Sequence, residues 1–215
     1  MHSYRSRRIR EEIANSVTHG AGLGFSIVAS MLLMVIAVRR GEVVGVVSAL
    51  LYGGSLVGLY LASTLYHTAR RPRRKHAMRL LDHCAIYLLI AGSYTPFLLM
   101  VLPPGIGWSF FAVVWTCAIA GVLMKILHSH RATKFSTYSY LFLGWVSLFA
   151  IKPLYDRLPS ECFWLLVGGG VAYTAGTWFF FRDRRLFFHA IWHLFVLGGS
   201  ICHYAAIMSV FLTAT

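Results

Sequence analysis

Long apolar runs, separated by short polar or basic stretches, recur along the whole length of the 215-residue chain. Each run has about 20 residues or more, which is the length that an α-helix needs to cross the hydrocarbon core of a bilayer. None of the runs alternates between apolar and polar residues in the way that a strand of an outer-membrane barrel does. The pattern therefore predicts seven transmembrane helices, at Ser16–Val38, Val43–His67, Met78–Leu102, Gly107–Leu127, Ser136–Leu154, Cys162–Phe181 and Phe187–Leu212.

The composition agrees with an all-α membrane protein. Hydrophobic residues make up 58% of the chain and charged residues 13%, which leaves too little polar surface to cover a soluble globule. The stretches between the apolar runs are too short for a separate soluble domain, so we expect one seven-helix transmembrane domain over residues 1–215. Residues 1–15 form a short basic segment ahead of the first helix, and we expect no removable signal peptide because no small-residue cleavage site follows it.

The positive charge predicts how the chain is oriented in the membrane. The net charge is +13, but the basic residues lie between the apolar runs instead of forming one patch, which argues against a nucleic-acid groove. Sixteen of the 20 Lys and Arg residues fall before the first predicted helix, or in or next to the connections that follow the second, fourth and sixth. Since positively charged segments stay on the cytoplasmic side, we expect the N-terminus in the cytoplasm and the C-terminus outside.

Ionisable side chains inside apolar helices are costly in hydrocarbon unless they are paired, ligated or wetted, so they mark candidate functional sites. Asp82 is the only acid inside a predicted helix, and it lies near the start of the third. His67 ends the second helix, whereas His189 and His193 lie at the start of the seventh. Because the second helix runs towards the cytoplasm and the other two start there, all four side chains are expected at one depth near the cytoplasmic face.

This layer has the composition of a metal site. His189 and His193 are four residues apart, which places both imidazoles on one helix face, about 6 Å from each other. With His67 they offer three nitrogen ligands, the usual set of a catalytic zinc site that keeps a fourth position for water. Asp82 is then placed to hold that water or act as a general base. Ser63, one turn before His67, is placed to hydrogen-bond a ligand, Asp82 or a substrate carbonyl. The alternative is that these histidines are hydrogen-bonded interior residues.

Three further histidines lie in the predicted helices but are expected to have other roles. His203 lies ten residues beyond His193, about 15 Å along the helix axis, so we expect it to pack in the bundle or line a cavity. His19, early in the first helix, is expected to join a polar network between helices and not to form a second site. The orientation of His83 stays open.

Four short motifs surround these side chains. They are "EEIANSVTHGAG" near the N-terminus, "STLYH" at the end of the second predicted helix, "LLDHCAIYLLIAGSYTPF" in the third and "HAIWH" in the seventh. As a set they resemble the motifs of the hemolysin III group, the bacterial branch of the progestin and adipoQ receptor family. The resemblance runs from about Glu11 to the end of the seventh helix.

The resemblance implies a seven-helix fold with a cytoplasmic N-terminus, in the cytoplasmic (inner) membrane of a bacterium. In the receptor members of the family, the corresponding histidines bind Zn²⁺ and an aspartate of the third helix binds the zinc-held water. These roles would fall to His67, His189 and His193, and to Asp82. A wider set of proposed membrane hydrolases, which includes alkaline ceramidases, shares these residues and a serine, which is Ser63 here.

Three classes of function are compatible with these observations. The first is zinc-dependent hydrolysis of a lipid amide or ester bond, in which Asp82 shuttles the proton and Ser63 supports the oxyanion or Asp82. The second is a non-enzymatic membrane sensor or homeostasis factor, with a structural zinc that joins the second and seventh helices. The third, a pore-forming hemolysin, is disfavoured because a secreted pore-former needs a soluble form. The expected partners are the lipid bilayer and a membrane lipid as substrate or ligand; nucleic acid is not expected, and the oligomeric state stays open.

Overall fold

The computed structural model describes residues 2–128 and 133–213 of the chain, and the side chains within 9–128 and 135–213. Over these ranges the chain is helical, with short connections and no β-strand. The α-helices are α1 (His2–Arg40), α2 (Val43–Thr68), α3 (Pro72–Pro96), α4 (Pro104–Leu127), α5 (Thr133–Gly144), α6 (Ile151–Tyr155), α7 (Ser160–Phe180) and α8 (Phe188–Thr213). A π-helical turn, Phe97–Val101, continues α3, and a 3₁₀ turn, Val146–Ala150, lies between α5 and α6.

Proline and glycine residues set the ends of several helices. Pro72 and Pro104 occupy the first turns of α3 and α4, where the backbone N–H has no partner inside the helix. Gly41 follows the last residue of α1 with a φ of +72°, a conformation that glycine adopts without strain. Its N–H donates to the carbonyl groups of Ala37 and Val38. The chain can therefore reverse direction within two residues, before α2 begins.

Within the described residues, six helices are long and apolar enough to cross a membrane, at Ile9–Arg40, Val43–Thr68, Pro72–Val101, Pro104–Leu127, Ser160–Phe180 and Phe188–Thr213. They correspond to the first four and the last two of the seven predicted helices, so these six predictions are confirmed as candidate membrane spans. Because α1 begins at His2, most of the basic N-terminal segment continues the first helix. The orientation of the two termini relative to the membrane stays a prediction.

The fifth predicted helix, Ser136–Leu154, is not one continuous helix. α5 has 12 residues and ends at Gly144, and the chain then passes through the 3₁₀ turn into α6, which has five residues. Tyr94 of α3 lies at this break, where its hydroxyl donates to the Gly144 carbonyl at 2.6 Å and accepts from the Ser147 N–H at 2.8 Å. Irregular backbone is tolerated at membrane depth when protein groups satisfy it in this way. The count of seven spanning helices therefore stays a prediction.

Four helices surround the end of the bundle that holds the candidate site. α1 packs against both α2 and α8, and α2 also packs against α3. On the outside of this group, α4 packs along α3 and α7 packs along α8. Leu33 of α1, Leu56 and Tyr60 of α2 and Ile207 of α8 are fully buried where the helices meet. α1 is therefore the helix that links α2 to α8.

Close packing predicts that alanine substitutions at two glycines near the start of α4 have very different effects on stability. A Cβ atom at Gly107 would overlap the backbone carbonyl oxygen of Leu98, whereas a Cβ atom at Gly105 would meet no atom within 4 Å. We expect Gly107→Ala to lower the free energy of unfolding by about 1–3 kcal/mol, because backbone must move to make room. Gly105→Ala should leave it unchanged or raise it, since alanine favours a helix. Thermal unfolding in detergent measures the difference, and equal midpoints would contradict this packing of α4.

Candidate metal centre

Three histidines from two helices meet near one end of the bundle. His67 lies in the last turn of α2, and His189 and His193 lie in the first two turns of α8. Their ligand atoms, one from each residue, lie within 4.8 Å of one another, so the group could hold a metal ion. His67 is 6% exposed and His193 is 2% exposed, and His189 is half-buried. The structure thus brings together the three residues that the sequence predicts to be metal ligands.

The contacts of His67 suit a metal ligand. Its Nδ1 lies 2.8 Å from a carboxylate oxygen of Glu12, whereas its Nε2 is buried and has no hydrogen-bond partner among the described residues. A buried polar atom without a partner costs about 1–3 kcal/mol, and a bound ion would remove that cost. Zn–N bonds of about 2.0–2.1 Å in a tetrahedral site place the nitrogens about 3.4 Å apart. Small rotations of the three side chains would bring the group to this spacing, so the residues present fit the ion.

Asp82 and Ser63 line a cavity that two of the three histidines also line. Ser63 is fully buried one turn before His67, and its hydroxyl faces the carboxyl group of Asp82. Among the described residues, none forms a hydrogen bond of normal geometry with this hydroxyl. Asp82 and Ser63 line the same cavity as His189 and His193. Their catalytic roles stay predictions, but both side chains share one space with two of the candidate ligands.

The cavity is long and mostly apolar, with a volume of about 270 Å³. It reaches from Asp82 along α3 to Tyr94, which is 12 residues further along the helix and therefore about 18 Å away along its axis. Apolar side chains of α3, α5 and α7 form much of the wall, among them Ile86, Leu89, Ile90, Leu141, Leu166 and Val167. The cavity therefore joins the candidate ligands at one end to an apolar channel.

Two further histidines of the predicted helices, His19 and His203, contact neighbouring helices, but both ring nitrogens of His19 lack a hydrogen-bond partner among the described residues, so its polar network stays a prediction. The ring of His19 stacks on that of His193, with 3.5 Å between the ring centroids, and contacts Tyr60 edge-on at 5.1 Å. His19 thus joins three helices, and within the described chain it is not a member of the three-histidine group. His203 lines the cavity, and its Nε2 donates to the carbonyl of Leu166 at 3.1 Å. Both residues line the cavity and contact side chains or backbone of neighbouring helices.

Sequence reasoning missed two residues of α1 that contact the histidine group. Glu12 contacts His67, and the hydroxyl oxygen of Thr18 lies 3.1 Å from Nδ1 of His193. A signal for them was present, because Glu12, Asn15 and Thr18 recur at every third position and so share one broad face of a helix. A polar face at the start of an otherwise apolar helix indicates contact with other polar groups.

Comparison with known proteins assigns the chain to a family. A family model described as "Haemolysin-III related" matches residues 7–204. The chain belongs to the hemolysin III family. The resemblance drawn from the four sequence motifs is thereby confirmed, and with six candidate spans the chain is a multi-pass membrane protein of this family.

Relatives of this hemolysin III protein align over most of its length. Hemolysin-3 of Bacillus cereus is 48% identical over 192 residues, which cover 89% of this chain and 88% of the relative. The Hemolysin-3 homolog of Bacillus subtilis (strain 168) is 42% identical over 200 residues, 93% of this chain and 94% of the relative. Monocyte to macrophage differentiation factor of Homo sapiens is 30% identical over 209 residues, 92% of this chain and 83% of the relative.

Proposed function

We propose that this hemolysin III protein is a zinc-dependent hydrolase that cleaves an amide or ester bond of a lipid in the bacterial cytoplasmic membrane. The observation that carries the proposal is that His189 and His193, two members of the three-histidine group, line one end of a long, mostly apolar cavity that Asp82 and Ser63 also line. The excess of Lys and Arg on one predicted side of the membrane supports a site near the cytoplasmic face.

The donor set favours zinc over calcium and magnesium. Imidazole nitrogen suits zinc, whereas calcium and magnesium prefer oxygen ligands. His67, His189 and His193 would hold the ion and leave one position open, as in catalytic zinc sites. When bound, the ion supplies a Lewis acid that polarises the substrate carbonyl and makes water a stronger nucleophile at neutral pH.

Asp82 is placed to move the proton during hydrolysis. The oxygen of water bonds to the carbonyl carbon, and the bond from that carbon to the leaving nitrogen or oxygen breaks. The Asp82 carboxylate takes a proton from the attacking water and returns it to the leaving group, so the carboxylate is regenerated. Ser63, whose hydroxyl faces Asp82, donates a hydrogen bond either to this carboxylate or to the carbonyl oxygen as its negative charge develops.

The apolar part of the cavity favours a lipid acyl chain as the bound part of the substrate. Transfer of an apolar chain out of water gains about 0.8 kcal/mol for each buried CH₂ group. Because the candidate ligands lie at one end of the cavity, a chain that fills the channel would place its terminal carbonyl group next to them. A small polar substrate would leave the apolar wall without a partner.

A second candidate is a non-enzymatic membrane protein with a structural zinc. α1 packs against both α2 and α8, so an ion held by His67 of α2 and by two histidines of α8 would tie three helices together. Three histidines would leave a fourth position of the ion open, and this, together with the cavity that Asp82 lines, favours the hydrolase, because a purely structural site needs neither feature. A measurement of lipid hydrolysis distinguishes the two functions, because only the hydrolase predicts it.

Zinc-loaded protein in liposomes is expected to release a fatty acid from at least one lipid that carries an amide or ester bond. The panel consists of glycerophospholipids and ceramides, and mass spectrometry measures the released acid. A zinc chelator should abolish the release and added zinc should restore it, because the ion polarises the carbonyl. A dye enclosed in liposomes of a lipid that the protein does not hydrolyse should stay inside, since only the pore-forming function predicts leakage where no fatty acid is released. Folded, zinc-loaded protein that hydrolyses no lipid of the panel would contradict the hydrolase.

A further inference from the structure

We infer that α1 completes the metal centre, with Glu12 and Thr18 as positioning residues that orient His67 and His193 for metal binding. The inference rests on the proposed metal site and adds to it two residues that contact neither the ion nor the lipid. Each of them contacts the Nδ1 atom of a histidine. In both histidines the ligand atom is therefore Nε2, on the opposite side of the ring.

Glu12 fixes the proton of His67. The Glu12 carboxylate lies 2.8 Å from Nδ1, and because a carboxylate only accepts hydrogen bonds, Nδ1 must carry the hydrogen. The neutral imidazole then has its lone pair on Nε2, the buried atom without a partner among the described residues. A carboxylate that accepts from a metal-bound histidine in this way holds the ring in place and makes its other nitrogen a stronger ligand.

Lys75 holds the Glu12 carboxylate in this position. The second carboxylate oxygen of Glu12 accepts a hydrogen bond from the Lys75 ammonium at 2.6 Å. Because Lys75 belongs to α3 and His67 to α2, the Glu12 side chain joins α1 to both helices. About a third of the Glu12 and Lys75 side chains is exposed, 39% and 32%, whereas that of His67 is only 3% exposed. Glu12 therefore lies at the outer edge of the site, with the ligand on its buried side.

Thr18 accepts the Nδ1–H of His193, as Glu12 accepts that of His67. The single hydroxyl hydrogen of Thr18 is directed at the backbone carbonyls of Ala14, at 2.9 Å, and Asn15, at 3.0 Å. The Thr18 oxygen is thus left as an acceptor for the Nδ1–H of His193, at 3.1 Å. The lone pair of His193 then lies on Nε2, as it does in His67.

The position of α1 explains why one helix can hold both ligands. α1 packs against α2, which carries His67, and against α8, which carries His193. Glu12 and Thr18 are six residues apart, about 9 Å along the axis of α1. The same helix thus reaches one histidine on each neighbour, and the rings are fixed relative to each other before any ion is bound.

Zinc affinity separates this role from a purely structural one. A structural ion pair between Glu12, His67 and Lys75 would change only the stability of the fold. A positioning residue changes the affinity of the folded protein for zinc, by about 10- to 100-fold for contacts of this kind. We expect Glu12→Ala to weaken zinc binding within that range. Thr18→Val should weaken it by a smaller factor, since a neutral acceptor orients the ring less strongly than a carboxylate.

The experiment measures zinc dissociation constants of the full chain in detergent, by competition with a chromophoric chelator. The controls are Glu42→Gln, which removes an exposed carboxylate between α1 and α2, and Thr64→Val, which removes a hydroxyl that bonds the carbonyl of Tyr60. Both controls should bind zinc like the wild-type protein. If Glu12→Ala fails to fold, Glu12→Gln replaces it, because the amide oxygen still accepts from Nδ1 but lacks the charge. That variant should fold and bind zinc more weakly than the wild-type protein.

The outcomes distinguish this inference from the proposed function. Wild-type affinity in folded Glu12 and Thr18 variants would overturn the role of α1 and leave the hydrolase standing. Folded wild-type protein that binds no zinc would overturn both. Weaker zinc binding in the Glu12 variant, together with wild-type binding in both controls, would support the inference even if no lipid were hydrolysed.

Discussion

The double substitution His189→Ala/His193→Ala is expected to abolish zinc binding. Wild-type protein purified in detergent should contain about one zinc ion per chain, as a three-histidine site implies. The double variant keeps only His67, and one imidazole cannot hold the ion against water. Inductively coupled plasma mass spectrometry of the two proteins gives the zinc content directly. His189 is half-buried and His193 is buried among other imidazoles near one end of the bundle, so circular dichroism must show that the double variant is folded.

A second double variant, His128→Ala/His203→Ala, is the matched control for this measurement. It also removes two imidazoles, one at the exposed end of α4 and one from the cavity wall, and neither belongs to the three-histidine group. The control should keep its zinc. About one zinc ion per chain in both double variants would show that the ion is bound elsewhere. Folded wild-type protein without any metal would leave the three histidines as a polar contact between helices.

Asp82→Asn is expected to keep the metal and to lose lipid hydrolysis. Asp82 is not one of the three grouped ligands, so its amide variant should retain about one zinc ion per chain. An amide cannot take a proton from water at neutral pH, and general base catalysis contributes about 10²- to 10⁴-fold to a rate. We therefore expect the rate of fatty acid release to fall by about that factor. Zinc content and release are measured on the same preparation.

Asp183→Asn provides the control for the loss of a carboxylate. Asp183 lies in the turn between α7 and α8 and lines the same cavity, but the proposed mechanism gives it no role. Its variant should hydrolyse lipid at the wild-type rate. Unchanged hydrolysis in Asp82→Asn would rule out Asp82 as the base. Zinc-loaded wild-type protein that hydrolyses no lipid, and that unfolds once its zinc is removed, would favour the structural function.

The proximity of His67, His189 and His193 could be predicted because it depends mainly on the order and orientation of the helices, and less on how their side chains pack. Apolar length indicates where helices start and end, and the predicted alternation of orientation puts the end of α2 at the same depth as the start of α8. Within α8, the four-residue spacing of His189 and His193 fixes their common face. None of these arguments requires knowing how each helix is rotated about its own axis.

The polar face of α1 is visible in the sequence, but the contact of Glu12 with His67 and the break in the fifth predicted helix could not be predicted, because both depend on contacts between distant segments. Glu11 and Glu12 differ by about 100° around the helix axis, and only the packing of α1 decides which carboxylate faces His67. The break after Gly144 is stabilised by the Tyr94 hydroxyl of α3. Hydropathy along the fifth run carries no information about that distant tyrosine.

The distribution of the candidate ligands over the chain has a consequence for biosynthesis. His67 leaves the ribosome with α2, whereas His189 and His193 follow only with α8, the last helix. α1, α2 and α3 can therefore enter the membrane while the centre is still incomplete. A chain that stops before α8 has only one of the three imidazoles. In the proposed zinc centre, loading with the ion would therefore have to follow the synthesis of α8.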